Sequence, residues 1–233
     1  MDRAVAAEAF KALPDDGKGA KLNRAVLHRA VRFMVSQGID QFLDLGSGLP
    51  TVANTHEIAQ AVNPAARVVY VDNDPSVRLH AQALLADDAS TIVVMADVRE
   101  PESILGNPEI TGFLDFAKPM GLILNAVLHH ILDEEDPHGL MARYVAALTP
   151  GSYVQITHFS NASAEARAME KVLQQALGRG KVRSTQEIES FFDGLELLEP
   201  GVVFNPQWRP AEPVEYPLDL GSLLIMCGVG RKP

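Results

Sequence analysis

The sequence predicts an α/β fold: a mostly parallel sheet with helices on both faces. Two observations carry that expectation. Short apolar runs alternate with stretches of helical periodicity, and strands that alternate with helices pair in parallel through crossover helices. The runs are also continuously apolar, as expected of strands covered on both sides. A chain of 233 residues, 47% of them hydrophobic, is the size that one such domain fills.

Along the chain, residues 1–13 read as a helix and PDDGKG (14–19) as a turn. Residues 20–37 read as a longer helix, with Leu22, Val26, Leu27, Ala30, Val31 and Met34 at helical spacing and Gly38 as its stop. QFLDLG (41–46) is a first strand, followed by a helix over 51–62. RVVYVD (67–72) is the second strand, with a helix from Asp74 to about Ala86. TIVVMAD (91–97) is the third, and GLILNAV (121–127) the fourth, after a loop-rich stretch with a short helix near 101–105. A helix at 136–148 leads to SYVQITH (152–158), the fifth strand. Helices at 162–178 and 184–193 follow, the second opened by Ser184 and Glu187 at capping-box spacing. LELLEPGVVF (195–204) and SLLIMCGVG (222–230) close the chain as strands. The loop between them holds Pro206, Pro210, Pro213 and Pro217, so the two are expected to pair antiparallel at one edge.

Composition narrows the function classes. No apolar run approaches the ~20 residues of a membrane helix, and the first residues lack a basic-then-apolar signal pattern. The single cysteine, Cys227, permits no internal disulfide and sits in an apolar strand as an inert thiol. A cytoplasmic protein is the expectation. A net charge of −10 argues against nucleic acid as the main partner. Arg24, Arg29 and Arg32 cluster, and read as a solvated helix face.

The first strand runs into glycines: FLDLGSG, residues 42–48. In a doubly wound sheet, ligands bind where the first strand's end meets the following helix. Glycines let backbone approach the ligand closely. The second strand ends in Asp72, suited to accept from two ribose hydroxyls, and the third in Ala96-Asp97-Val98, where a carboxylate and a backbone N–H could read an adenine edge. A pyrophosphate would call for G-x-G-x-x-G. Here the turn reads Gly46-Ser47-Gly48-Leu49-Pro50-Thr51, with no third glycine, and Asp44 would repel phosphate. An ammonium-bearing amino-acid tail suits Asp44 better, which favours S-adenosylmethionine (SAM) over NAD. A nicotinamide-dependent oxidoreductase and a purely structural Asp44 are the competing readings.

FLDLGSG, VYVDNDP and ALTPGSYVQITH resemble the first, second and fifth strand motifs of class I SAM-dependent methyltransferases. With QFLDLGSGLPTVANTHEIAQ, LILNAVLHHILDEEDP, FFDGLELLEPGVV and GVGRKP, the chain is similar to the S-adenosyl methyltransferase family once catalogued as a domain of unknown function. The resemblance runs from about residue 5 to the end. It implies a Rossmann-like seven-stranded sheet with the last strand antiparallel, in one domain whose helical segment 1–37 precedes a core over 38–233. It further implies that Asp44, Gly46, Ser47 and Gly48 meet the methionine part of SAM, that Asp72 takes the ribose, and that Asn73 lies beside the adenine. Asp97 and Val98 read the base, and Asn125 lies next to the sulfonium and the acceptor. Relatives carry a further N-terminal segment with a Gly-Gly-Lys-x-Asn motif, and this chain begins after it. The expectation is then weaker SAM binding or a missing lid, with a non-catalytic module binding SAM or S-adenosylhomocysteine as the alternative to an enzyme.

Methyl transfer to an oxygen or nitrogen acceptor can require a general base. His129, His130 and His158 follow the fourth and fifth strands, with His129 and His158 as the catalytic candidates. HHILDEEDPH (129–138) fits no zinc spacing, and no metal is expected. It reads as a solvated acidic helix start. Asn73 and Asp74 read as cofactor contact and helix cap. Trp208, Phe204 and Tyr216 could cover an acceptor pocket or simply pack. The expected partner is a small-molecule acceptor, with homodimerisation left open.

Overall fold

The computed structural model describes residues 17–48, 54–84 and 88–233. The expected helix over 1–13, Leu49 to Thr51 of the glycine turn and the last residues of the helix reaching Ala86 lie outside the described residues.

Helix α1 (Lys18–Ser36) buries Val26, Leu27, Ala30, Val31 and Met34, the stripe that its periodicity announces. It stops where Gln37 N and Gly38 N bond to the carbonyls of Phe33 and Val35 and Gly38 takes a φ of 90°. Next come β1 (Gln41–Leu45), α2 (Thr55–Val62), β2 (Arg67–Asp72), α3 (Pro75–Leu84) and β3 (Thr91–Met95). Helices α4 (Pro101–Leu105) and α5 (Pro108–Phe113) precede β4 (Gly121–Asn125). Two 3-10 turns, Leu128–His130 and Asp133–Glu135, lead to α6 (Pro137–Ala147), β5 (Tyr153–Phe159) and α7 (Ala164–Leu177). The chain ends with α8 (Thr185–Glu189), β6 (Glu196–Leu197), β7 (Val203–Phe204) and β8 (Ile225–Arg231).

The sheet order is β3-β2-β1-β4-β5-β8-β6, with β7 also pairing β8. Strands β1 to β5 are parallel, and β8 runs antiparallel to β5, β6 and β7. The order reverses beside β1, between β2 and β4, so the crevice of a doubly wound sheet opens at the carboxyl ends of these strands. Leu43, Leu45, Leu122 and Leu124 pack on one face with Ile104, Tyr144 and Phe191. Phe42 and Ile123 alternate to the other face and meet Val26, Met34 and Trp208. Each large aliphatic side chain buried in these layers contributes about 1.5–3 kcal/mol.

Several expectations change. The stretch 195–204 is two short strands rather than one, making eight strands where seven were expected. Pro200 has no N–H to give a ladder, and Gly201 turns with a φ of 86°. The loop before β4 contains a second helix, α5, whose Asn107 cap accepts from Glu109 N. The helix expected over 184–193 ends at Glu189 and continues as a 3-10 turn, Ser190–Phe192. Trp208 is wholly buried, edge-on to Phe33 with ring centroids 6.1 Å apart, so it belongs to the core. Arg29 is half-buried rather than solvated: it donates to the carbonyls of Trp208 (2.8 Å) and Asn205 (2.6 Å), fastening their loop onto α1. Cys227 is fully buried, and burial pushes its thiol up to about 12. No described helix is long and apolar enough to cross a membrane.

Candidate cofactor and acceptor site

The chain leaves β1 through Gly46 (φ 68°) and Gly48 (φ 66°), both left-handed. Gly46 N donates to Val71 O at 2.7 Å. A Cβ on Gly46 would stand 2.3 Å from Val127 Cγ2, so glycine here also lets the segment after β4 close against the turn. Among the described residues, a Cβ on Gly48 would meet nothing within 4 Å. There the left-handed backbone is the reason for glycine.

Asp72 closes the turn from β2. Its Oδ2 accepts from Gly48 N at 2.8 Å and its Oδ1 from Asp74 N at 2.9 Å. Each carboxylate oxygen has two acceptor positions, so both retain capacity for a further donor. Asp44 lies deeper, only 5% exposed, with Oδ2 accepting from Thr55 Oγ1 at 2.6 Å. Burial pushes its carboxyl up to about 7; the Thr55 bond works against this, and the charge of Asp72 adds to it. Ser47 lies between the two glycines, partly exposed.

Past β3, Asp97 Oδ1 accepts from both the backbone N and Nε of Arg99, each at 2.9 Å, and Oδ2 accepts from the same guanidinium. Hydrogen bonding to Arg99 is the main cause holding this carboxyl down at about 2. Asn73 Nδ2 stands 3.4 Å from Asp97 Oδ2. The Val98 carbonyl accepts from the Tyr144 hydroxyl at 2.8 Å, tying the segment after β3 to α6.

Asn125 ends β4, and its Oδ1 accepts from Thr157 Oγ1 at 3.1 Å and Gln155 Nε2 at 3.4 Å, both from β5. Ala126 then takes a φ of 58°, a conformation uncommon for a residue with a Cβ, and donates its N–H to Thr157 Oγ1 at 2.8 Å. The next turn carries His129, buried, its ring centroid 4.0 Å from His130 and 6.2 Å from His158. Among the described residues, His129 Nδ1 is buried without a hydrogen-bond partner. Burial, then the neighbouring His130, His158 and Arg183, keep this imidazole neutral.

His158 is placed differently from the expectation of a base. Its Nδ1 donates to Phe159 O at 2.8 Å, and its Nε2 accepts from the Arg183 guanidinium at 2.8 Å. Both ring nitrogens are committed, so the ring anchors structure where it stands. Burial is the main reason its pKa falls to about 3.

Arg183 escaped sequence reading. It is 1% exposed and also donates to the carbonyls of Leu128 (3.3 Å) and Ile131 (2.9 Å) and to Asp133 Oδ1 (2.7 Å). Its guanidinium lies 5.4 Å from the Phe191 ring centroid. A lone arginine after a Gly-Arg-Gly turn gives no local signal of burial. The acidic segment it grips opens α6 as expected, with Asp133, Glu134 and Asp136 exposed and Asp136 Oδ1 accepting from Gly139 N at 3.0 Å, but two of its acids are also paired. Asp133 also meets Lys181, and Glu135 meets Arg99 and Arg179. Among the described residues, no group of three His, Cys, Asp or Glu is arranged to hold a metal ion.

The structure thus gathers Asp44, Gly46, Gly48 and Asp72 at the β1–β2 ends. It sets Asn73 against Asp97 at the next end, and puts Asn125 on the other side of β1. A left-handed glycine turn, and carboxylate oxygens with unused acceptor positions, fit an adenosyl amino acid.

Comparison with known proteins agrees. The family model described as S-adenosyl methyltransferase matches residues 1–233. The crystal structure of a candidate methyltransferase from Thermobifida fusca YX is 46% identical, with a TM-score of 0.95, over 99% of this chain and 88% of that one. A DUF574 family protein from Streptomyces avermitilis MA-4680 is 36% identical, with a TM-score of 0.91, over 100% of this chain and 90% of that one. The N-methyltransferase NodS from Bradyrhizobium japonicum WM9, solved with S-adenosyl-L-homocysteine, shares the fold alone: 14% identity and a TM-score of 0.55 over 88% of this chain and 85% of that one. No curated protein matches significantly. From its glycine turn to its antiparallel last strand, the chain belongs to the S-adenosyl methyltransferase family.

Proposed function

We propose that the protein methylates a small-molecule acceptor, binding SAM across the ends of β1, β2 and β3 and the acceptor beside Asn125 and His129. The observation that carries this reading is the Gly48–Asp72 junction: a left-handed glycine turn closed by a carboxylate that keeps acceptor capacity on both oxygens. When bound, SAM supplies a methyl group on a sulfonium, and this chain's residues need only hold and align the partners.

In this reading Asp44 and the turn Gly46-Ser47-Gly48 hold the methionine part. Asp72 accepts from the ribose hydroxyls, Asn73 lies beside the adenine, and Asp97 with Val98 reads the base. Asn125 faces the reacting end. His129 is the base: it is neutral and buried, with an unpartnered Nδ1 able to take a proton from an acceptor hydroxyl or amine. His158, with both nitrogens committed, supports the loop that carries His129.

Isothermal titration with S-adenosylhomocysteine tests the reading. Wild type should bind, and Asp72→Ala should lose at least about tenfold in affinity, as expected for charge-assisted hydrogen bonds. Equal affinity in the two proteins would remove Asp72 from the site.

A further inference from the structure

Asp97 is not a free carboxylate waiting for a base. Three donors come from Arg99: backbone N and Nε onto Oδ1, and a terminal amino group onto Oδ2. Since each carboxylate oxygen offers two acceptor positions, Oδ1 is filled. Oδ2 keeps one, and among the described residues only Asn73 approaches it, at the long distance of 3.4 Å. Arg99 therefore decides which edge of the carboxylate faces the site. Its planar fork fixes that edge, which a point charge could not do.

Arg99 is itself braced. Its other amino group donates to Glu135 Oε1 at 3.1 Å. Glu135 Oε2 in turn accepts from Leu132 N at 2.8 Å and from Arg179. Burial works against the Glu135 charge, but these donors outweigh it and bring the carboxyl down to about 2. Leu132 and Glu135 belong to the segment that also carries Asn125 and His129. The end of β3 and the acceptor side of the crevice are thus joined by one chain of charges, Asp97–Arg99–Glu135–Arg179.

We propose that Arg99, braced by Glu135, is a positioning residue for adenine: it turns a single acceptor position, on Asp97 Oδ2, towards the exocyclic amine. The inference rests on the reading above that Asp97 meets the adenine. It makes base selectivity depend on a residue that need not touch the cofactor, and on a contact from the acceptor-side loop.

The test compares S-adenosylhomocysteine with S-inosylhomocysteine, in which a carbonyl replaces the amine, by isothermal titration. Wild type should prefer the adenosyl ligand. Arg99→Gln should weaken the adenosyl ligand about tenfold and the inosyl ligand much less, so that the preference collapses. Arg99→Lys, which restores charge without the fork, should recover only part of it. Glu135→Gln should lower the preference by a smaller factor, and this partly exposed change decides the matter together with Arg99→Lys if Arg99→Gln does not fold. Equal loss for both ligands in Arg99→Gln, or no loss, overturns the proposal, because a general structural defect does not discriminate between bases. Asp97→Asn separates the two levels. If it abolishes the preference while the Arg99 and Glu135 variants keep it, only the positioning role fails. If it leaves adenosyl affinity unchanged, the adenine reading fails and the proposal with it.

Discussion

The Arg183 guanidinium donates to His158 Nε2 at 2.8 Å inside the protein, and the same arginine holds the carbonyls of Leu128 and Ile131. One buried cation thereby joins β5, the turn carrying His129, and the segment before α8. Removing it would leave the His158 ring nitrogen and the Ile131 carbonyl without their donor, while the Leu128 carbonyl would keep the Ile131 N–H. Arg183→Met should cost about 1–3 kcal/mol in urea unfolding, the range for leaving buried acceptors unsatisfied, since its charged partner Asp133 is exposed. Unchanged stability in Arg183→Met would mean the network contributes nothing.

The same contact sets the tautomer of His158. With Nε2 accepting and Nδ1 donating, the ring is neutral and protonated on Nδ1. Its folded pKa, about 3, lies below the ordinary histidine value. The stability it confers is thus complete above pH ~6.5 and is lost as pH falls towards 3. Long-range nitrogen–proton NMR spectra should show a pyridine-like Nε2 that persists through the usual histidine range. Titration near 6.5, or a proton on Nε2, would contradict the geometry.

Asp44 behaves in the opposite sense. Its carboxyl is raised from 3.8 to about 7, so its contribution to stability is full below pH ~4 and is lost as pH rises through 7. The cost of ionising it in place is about 4 kcal/mol, at 1.36 kcal/mol per unit. Asp44→Asn should flatten stability between about pH 4 and 7, the window between the two values, while weakening cofactor binding at neutral pH. A variant with the wild-type pH profile would show that Asp44 does not titrate there.

Gly46 should resist substitution for two separable reasons. Gly46→Ala meets Val127 Cγ2 at 2.3 Å and also places a Cβ on a backbone with a φ of 68°. The combined cost should exceed the ~1–2 kcal/mol of a left-handed alanine alone. Adding Val127→Ala removes the 2.3 Å contact but keeps the Val127 Cβ at 2.9 Å, so it should recover part of the steric cost and leave the backbone part, a double-mutant coupling readable by thermal or chemical unfolding. Strict additivity of the two changes would mean that the turn and the segment after β4 do not press on each other.

Much of the fold was readable because its signals are local. The stripe on α1, the continuous apolar runs of β1 to β5 and the Ser184–Glu187 capping box each express a period or a spacing within a few residues. The broken strand at 195–204 was harder. Apolar residues on both sides of Pro200 and Gly201 look like one strand until a partner's hydrogen bonds must be satisfied. The ion pairs of the acidic segment 133–135 were hidden for a related reason: their cations, Arg99, Arg179, Lys181 and Arg183, are distant in sequence and become neighbours only by folding.

By itself the sequence determined the layered α/β plan, the glycine turn after the first strand and the acids at successive strand ends, since hydrophobic period and turn chemistry act between near neighbours. Only the tertiary structure decided that Gly46 makes room for Val127, that Arg99 commits most of Asp97, and that Arg183 claims His158 while leaving His129 Nδ1 without a partner. Burial and partner choice depend on groups brought together across the sheet, and no local pattern encodes them.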